Sequence, residues 1–478
     1  MDQNKAFQAN FVSTVVTTIV QGRGNVSKSP DKPFYNIGDQ ITLTALPARY
    51  YTLIRWGDGP TVNPRVVTIG ASNDYTAIFS STTAVETLSF SNVTRTAPVG
   101  MPAIFVDGEF IVTNAVTRFG SAEVSMLTSF QNGSIFFTLD GSTPSFASTL
   151  YGGSIVLRRS ATIRAIAYDA SFLNSWEADP VKVTIEPIFS LSATTPGGGT
   201  ITVTPTNSYY LNNTLVTLNA TPAPGWTFLQ WLGDVSGSNA TNTLRVTRDM
   251  CVQALFGTTL NTTVTGNGSV LADPGTALHP YGGAVQLTGS PQPGNYFAAW
   301  GNAASSTNNP LTFVLTNASS TVSCLFAPLT ASEFALVVRA NGGGHVTSSP
   351  RGNRFLSGQS VTLRAVPDAD QGFLSWSGDA SGTETNLVVQ MNQSKVITGN
   401  FTRRPRLWLG PCLGGVREDG FQMTLSGQPT ASYQIDASPT LVNWTPLATL
   451  TNFFGTVQFT APLATNQVSR FFRAVVLP

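Results

Sequence analysis

Apolar and polar residues alternate in short runs along most of the chain, and the runs are separated by Gly, Pro, Asn and Asp. Ile41, Leu43 and Ala45 alternate within ITLTALP. Val216, Leu218 and Ala220 do so within VTLNATP, and Val361, Leu363 and Ala365 within VTLRAVP. A period of two describes a strand with one buried face. The proline that closes each run ends the strand, because it cannot donate to the hydrogen-bond ladder. The pattern predicts many short strands joined by turns.

These runs sit inside a repeated frame. A Gly is followed six residues later by Pro at Gly24/Pro30, Gly199/Pro205, Gly268/Pro274 and Gly344/Pro350. A second Pro stands 17 residues on (Pro47, Pro222, Pro291, Pro367), and a Trp nine residues beyond it (Trp56, Trp231, Trp300, Trp376). Each unit closes on Phe79, Phe256, Phe326 or Phe401. Four recurrences with no shift before the Trp establish an internal repeat.

The positions have physical readings. Five residues after the first Pro comes Tyr35, Tyr210, His279 or Phe355, then a turn at Gly38, Asn213, Gly282 or Gly358. Gly and Asn tolerate positive φ, so this turn is expected to hold one left-handed residue. Leu53, Phe228, Phe297 and Phe373 each stand three residues before their Trp. Gly57-Asp58, Gly233-Asp234 and Gly378-Asp379 read as turns in which the carboxylate bonds its own backbone two residues on, with Asn302 in the third copy. A Trp that every copy needs is expected in the core.

This frame resembles the divergent internalin-type B-repeat, a small all-β or β-grasp-like module of exported bacterial proteins. The resemblance covers 1–80, 189–257, 258–330 and 331–402, and implies spacers and adhesin parts. Residues 81–188 break the frame. Their centre holds the alternation Ile135, Phe137, Leu139, the turn Asp140-Gly141-Ser142-Thr143-Pro144, and further strands through Ile155, Leu157, Ile163, Ala165 and Ala167. The segment resembles the chitobiase/β-hexosaminidase C-terminal module, an immunoglobulin-like appendage that implies no catalytic residues. Residues 403–478, with alternation at Tyr433, Ile435 and at Phe472, Ala474, Val476, resemble a Verrucomicrobia-type C-terminal β-sandwich.

Composition narrows the function. Only 11% of residues are charged, against roughly 25% in ordinary soluble domains. The net charge is +1 with no basic run, which gives neither nucleic acid nor an anionic membrane an electrostatic footprint. No apolar run reaches the length of a membrane span. The N-terminal stretch lacks a basic region followed by a continuous apolar one, so it is read as a Thr/Val strand of the first repeat and not as a signal peptide. The expectation is a fragment of a longer protein, or export by another route, with any missing sequence upstream and residue 478 a true C-terminus.

Cys251, Cys324 and Cys412 have no zinc spacing, and no disulfide framework is expected. Cys324 stands where the other copies have Ala77, Ala254 and Gly399, so it reads as a small core residue. His279 replaces an aromatic of the frame, and His345 follows Gly344 at a strand start; neither has the motif of a catalytic triad. The Gly-Asp turns supply few oxygens, and no EF-hand spacing occurs. Aromatics outside the frame, namely Tyr50, Tyr209, Trp226, Trp176 and Trp444, are the better candidates for stacking on a sugar ring, although packing is the favoured role even there.

The resulting expectation is an all-β tandem array of six small modules, bounded at 1–80, 81–188, 189–257, 258–330, 331–402 and 403–478, forming an elongated rod. It is not an enzyme. No catalytic, cofactor-binding or metal-binding residue is assigned, no cofactor is expected, and the ligand-binding residues stay open. The favoured function is a structural or adhesive spacer of an extracellular or cell-surface protein. The alternative is an accessory carbohydrate-binding region of a polysaccharide-degrading enzyme whose catalytic domain lies outside this chain. The partners anticipated are an extracellular polysaccharide or a surface protein.

Overall fold

A computed structural model describes residues 13–410, 416–417, 420–463 and 469–477. Strands without helices make up the regular structure of the described residues, in many small sheets. Among the described residues no helix is long and apolar enough to cross a membrane. The chain divides into two compact units, Met1–Pro187 and Ile188–Pro478.

All four repeats share one architecture, which is the all-β form of the module anticipated from the sequence. In the first, Gly24–Ser29, Gln40–Pro47 and Arg65–Thr68 form an antiparallel sheet. The facing sheet carries Asp74–Ser81 in its centre, parallel to Thr17–Gln21 and antiparallel to Tyr51–Trp56. The beginning of the expected N-terminal strand lies outside the described residues. The same pairings recur around Met250–Thr258, Ser320–Pro328 and Lys395–Phe401.

The Trp strand solves a geometric problem. Residues three apart on a regular strand point to opposite faces, yet Leu53 and Trp56 both pack into one core, as do Phe228 and Trp231, Phe297 and Trp300, and Phe373 and Trp376. A β-bulge supplies the missing residue at the same place in every copy, leaving Ile54, Leu229, Ala298 or Leu374 unmatched in the register. The bulge sets the first aromatic or Leu opposite the closing Phe. The Trp then falls opposite Ala77, Ala254, Cys324 or Gly399, where a small side chain leaves room for the indole.

Each buried indole still needs a hydrogen-bond acceptor. Trp56 Nε1 donates to Val62 O at 3.0 Å, Trp231 to Asn239 O at 2.9 Å, Trp300 to Asn308 O at 2.9 Å and Trp376 to Glu384 O at 2.8 Å. The frame Gly has a separate cause. A Cβ on Gly24, Gly199, Gly268 or Gly344 would meet the ring of the closing Phe at 2.4–2.6 Å. The turn residues Gly38, Asn213, Gly282 and Gly358 all take positive φ, between 67° and 96°. The first frame proline follows a cis peptide bond in every repeat. Tyr35 and Tyr210 donate their hydroxyls to the carbonyls of Pro30 and Pro205 at 2.8 and 2.9 Å.

Two expectations need correction. The Gly-Asp carboxylates reach beyond their own turns. Asp234 Oδ2 accepts from Cys251 N and Asp379 Oδ2 from Val396 N, both at 2.7 Å, so these acids tie the turn to the closing strand. Asp58 instead takes a bidentate bond from Arg65, which lies over the Trp56 and Tyr75 rings. That guanidinium holds the Asp58 carboxyl below its usual range. Second, Cys251 is disulfide-bonded, although the spacing of the cysteines gave no sign of a bridge. Cys412 lies outside the described residues.

Contacts between modules occur within each unit. In the first unit, Arg49 and Arg95 converge on Asp179. Burial opposes ionisation of that carboxyl, but the two guanidinium groups outweigh it and hold its pKa low. In the second unit, the C-terminal sandwich returns to the second repeat. Gln422 Nε2 donates to Gly233 O at 3.0 Å, Gly233 N donates to Gln458 Oε1 at 2.6 Å, and Gln230 Nε2 donates to Thr456 O at 3.0 Å. Stacking of neighbours alone does not describe this unit.

Two predictions follow from the repeat core. Trp376→Ala should destabilise its module by about 3–5 kcal/mol, because it removes a fully buried ring and orphans the Glu384 carbonyl. Urea unfolding of the variant beside Tyr209→Ala, which alters an exposed ring and should shift stability by less than about 0.5 kcal/mol, checks this. The second concerns His279, whose pKa burial lowers from its ordinary 6.5. The unfolded chain therefore protonates His279 at higher pH than the folded module does. Stability is full above pH 6.5 and declines as pH falls from there through the folded value. Unfolding measured between about pH 7.5 and about pH 5 should show this slope, and His279→Tyr should lack it.

Candidate functional site

The frame aromatics leave little for ligand recognition. All four Trp rings are buried. His279 is also buried, with Nδ1 3.2 Å from Thr276 Oγ1, while His345 is exposed. Neither histidine is hydrogen-bonded to a carboxylate among the described residues. No group of three or more His, Cys, Asp or Glu side chains gathers there to hold a metal. Burial pushes the Cys324 thiol up to about 12, so it is no nucleophile at neutral pH.

The five aromatics outside the frame separate. Tyr50 and Trp176 meet edge to face at 6.5 Å and pack on the cluster around Met101 and Phe105, joining the first repeat to the segment that follows it. Trp226 packs beside Tyr281 at 5.3 Å, against the core of the second repeat. Trp444 lies under the Arg473 guanidinium at 4.5 Å, with its N–H on Leu441 O. Tyr209 is exposed, but no ring contact joins it to another aromatic among the described residues. Tyr50 and Trp176 thus pair with each other, whereas Tyr209, Trp226 and Trp444 make no ring contact with one another among the described residues.

The structure assembles a different set. Ser134–Thr138 pairs with Ala161–Tyr168, which also pairs with Ser175–Glu177. Alternation sends Ile135, Phe137, Ile163, Ala165 and Ala167 into the core. It therefore sends Phe136, Ile166 and Tyr168 to the outer face, together with Arg164 and Glu177, which are bonded at 2.7 Å. Two turns add rings. Phe146 sits in the turn where Ser148 N donates to Ser145 O and Ser145 N to Ser148 Oγ. Phe172 sits in a loop bound to Asp169, whose Oδ1 accepts from Leu173 N and Ser171 Oγ and whose Oδ2 accepts from Asn174 Nδ2.

The rings make one cluster. Phe146 stacks on Tyr168 at 4.2 Å with an interplanar angle of 26°, Phe136 stands edge-on to both, and Phe172 is 5.7 Å from Phe146. This cluster is not interior, since Phe146 is 57% exposed, Phe172 50% and Leu173 85%. Phe172 adopts φ 59°, a left-handed conformation that costs a bulky residue energy. The sequence signal was available: Phe136 is out of phase with its buried neighbours Ile135 and Phe137. What could not be read was that two separate turns would place Phe146 and Phe172 beside it.

Unit 2 holds a polar cleft of about 440 Å³ lined by Asp273, His345, Asp368, Gln371, Arg403 and Gln428. Arg403 and Gln371 are already engaged there. Arg403 reaches Asn341 at 2.7 Å and Asp273 at 3.4 Å, and Gln371 bonds Thr402 and the Arg404 backbone. It offers no nucleophile paired with a base.

These modules define a tandem array of small β-sandwiches. The chain belongs to the divergent InlB B-repeat family, which matches at 14–83, 189–259, 258–330 and 334–405, more than half its length. Residues 115–178, which carry the aromatic cluster, match the chitobiase/beta-hexosaminidase C-terminal domain. No curated protein matches the chain. Two solved structures align at low identity. One comprises the three N-terminal domains of the bacteriophage RB49 Highly Immunogenic Outer Capsid protein, with 9% identity over 74% of this chain and 97% of that one and a TM-score of 0.16. The other is Sidekick-1 immunoglobulin domains 1–5, with 7% identity over 79% and 98% and a TM-score of 0.13. Neither likeness bears on arrangement or function at such scores.

The burial of Cys324 predicts that the folded protein resists alkylation there at about pH 8, and that denaturation without reductant exposes it. Mass spectrometry of iodoacetamide-treated chain reads both states; rapid labelling of Cys324 in the native protein would contradict the buried position.

Proposed function

We propose that this chain is a non-catalytic region of an exported, surface-located protein, and that its repeats act as a spacer. The observation that supports this most is what the frame residues do. Trp, Phe, Gly, Pro and the turn acids are all engaged in building and closing their own module. The division into six modules at the boundaries drawn from the sequence is part of the proposal. An antibody raised against the chain should label intact cells of the source organism, and surface proteolysis should abolish the label. Label seen only after lysis would sink the surface assignment.

A second reading is favoured by one specific feature, the exposed ring cluster within 115–178. On that reading the chain is an accessory carbohydrate-binding region of a polysaccharide-degrading enzyme whose catalytic domain lies elsewhere. The family name attached to that segment supports the connection with glycans.

A further inference from the structure

We propose that the outer face formed by Phe136, Phe146, Tyr168 and Phe172 binds a neutral polysaccharide chain of pyranose rings. This rests on the accessory carbohydrate-binding reading and assigns it a site.

Exposure is the first support. A contiguous set of aromatic rings held at the surface marks a binding region more often than do scattered apolar residues. The rings add nothing to the module's main core, which closes on the opposite face through Ile135, Phe137, Ile163 and Ala165. The second support is the way the rings are held. The loop of Phe172 is fixed by three side-chain bonds to Asp169, and its backbone keeps a left-handed residue that Asn or Gly would adopt more easily. A loop that only had to turn has no need of an exposed Phe at that position.

Charge selects the occupant. On the strands that carry the rings and on Ser175–Glu177 beside them the one cation, Arg164, is bonded to Glu177; Lys182 stands on the same side, opposite Thr162 on the adjoining strand. The two turns bounding the face carry ionised acids. Hydrogen bonds from Ser142 hold the Asp140 carboxyl low, and those from Asn174 and Ser171 do the same for Asp169. Carboxylates beside the rings favour a neutral partner over a polyanion at that end of the face. A wholly apolar partner would strip water from the Arg164–Glu177 pair and from the carboxylates without replacing it. A pyranose presents C–H faces to the rings and hydroxyls at its edge to the acids and to Ser134, Thr138 and Ser175, without adding charge. Aromatic rings with polar groups at their margin are matched by that combination.

The test uses the whole chain in depletion isotherms on swollen cellulose, chitin and insoluble xylan at high salt. The variant combines Phe146→Ala with Phe172→Asn. Asn suits the backbone of Phe172, so the ring is removed without new strain; an unchanged melting temperature and circular dichroism spectrum establish the fold. A control variant, Tyr209→Ala with Trp444→Ala, removes aromatics elsewhere. The expected result is saturable retention of the wild type on at least one matrix, a loss of about tenfold or more in affinity for the double variant, and retention by the control. Retention unchanged in the double variant overturns this site while leaving the carbohydrate-binding reading standing. No retention of the wild type on any of the three overturns both.

Discussion

The indole of the frame Trp is the group around which each repeat must be organised. It is among the largest side chains, it is buried in all four copies, and it carries one N–H that cannot be left unpaired in an apolar interior. Three other features follow from accommodating it. A loop must return a carbonyl to the Nε1 position, which fixes the segment after the Gly-Asp or Gly-Asn turn. The residue opposite must be small, which accounts for Ala, Cys or Gly before the closing Phe. The strand must also bulge, so that the aromatic or Leu three residues earlier faces the same way. The closing Phe then packs over a position where only Gly fits.

A core closed so locally has a consequence for assembly. The frame side chains are spent on their own module, so side-chain contacts between modules differ from copy to copy; the second and third repeats also meet through the backbone, where Tyr281 N donates to Phe256 O at 2.9 Å. In unit 2, Gln230, Gln422 and Gln458 bond backbone groups at the juncture of the second repeat and the C-terminal sandwich. In unit 1, Asp179 gathers Arg49 and Arg95, beside the Tyr50–Trp176 contact. Such interfaces can be changed without disturbing the fold of either module. Repeats can therefore be combined with unrelated sandwiches, as the match at 115–178 between two repeat segments illustrates.

Much of the repeat was legible because its rules are local. Alternation in ITLTALP and its counterparts gave strands, the Gly or Asn of the turn gave a left-handed residue, and the recurrence of Trp in one phase gave a core position. The bulge was harder, since a spacing of three between Phe228 and Trp231 suits neither strand nor helix and resolves only when the register with Phe256 and Ala254 is known. The turn acids were misjudged because their partners, Cys251 N and Val396 N, lie 17 residues away on another strand. The bridge at Cys251 was invisible for a related reason: spacing along the chain carries no information on which strands approach each other.

The aromatic face exposes the same limit from the functional side. Singling out rings by their absence from the frame selected Tyr50, Trp176 and Trp226, which are off-frame because they pack between elements that the frame does not describe. Phe136, Phe146, Tyr168 and Phe172 were passed over because each alone resembles an ordinary strand or turn residue. Their significance lies in convergence: two strand positions of the same outward phase and two turns, each turn tied by its own side-chain hydrogen bonds, carry four rings to one patch. In the repeats every frame aromatic is constrained by the need to close a small core. In the 115–178 segment a larger core closes on aliphatic residues and Phe137, so that aromatic side chains are free to occupy the outer face. That freedom, and not any residue type taken singly, separates the outer face of this segment from the repeat modules, and it is what the proposed ligand face depends on.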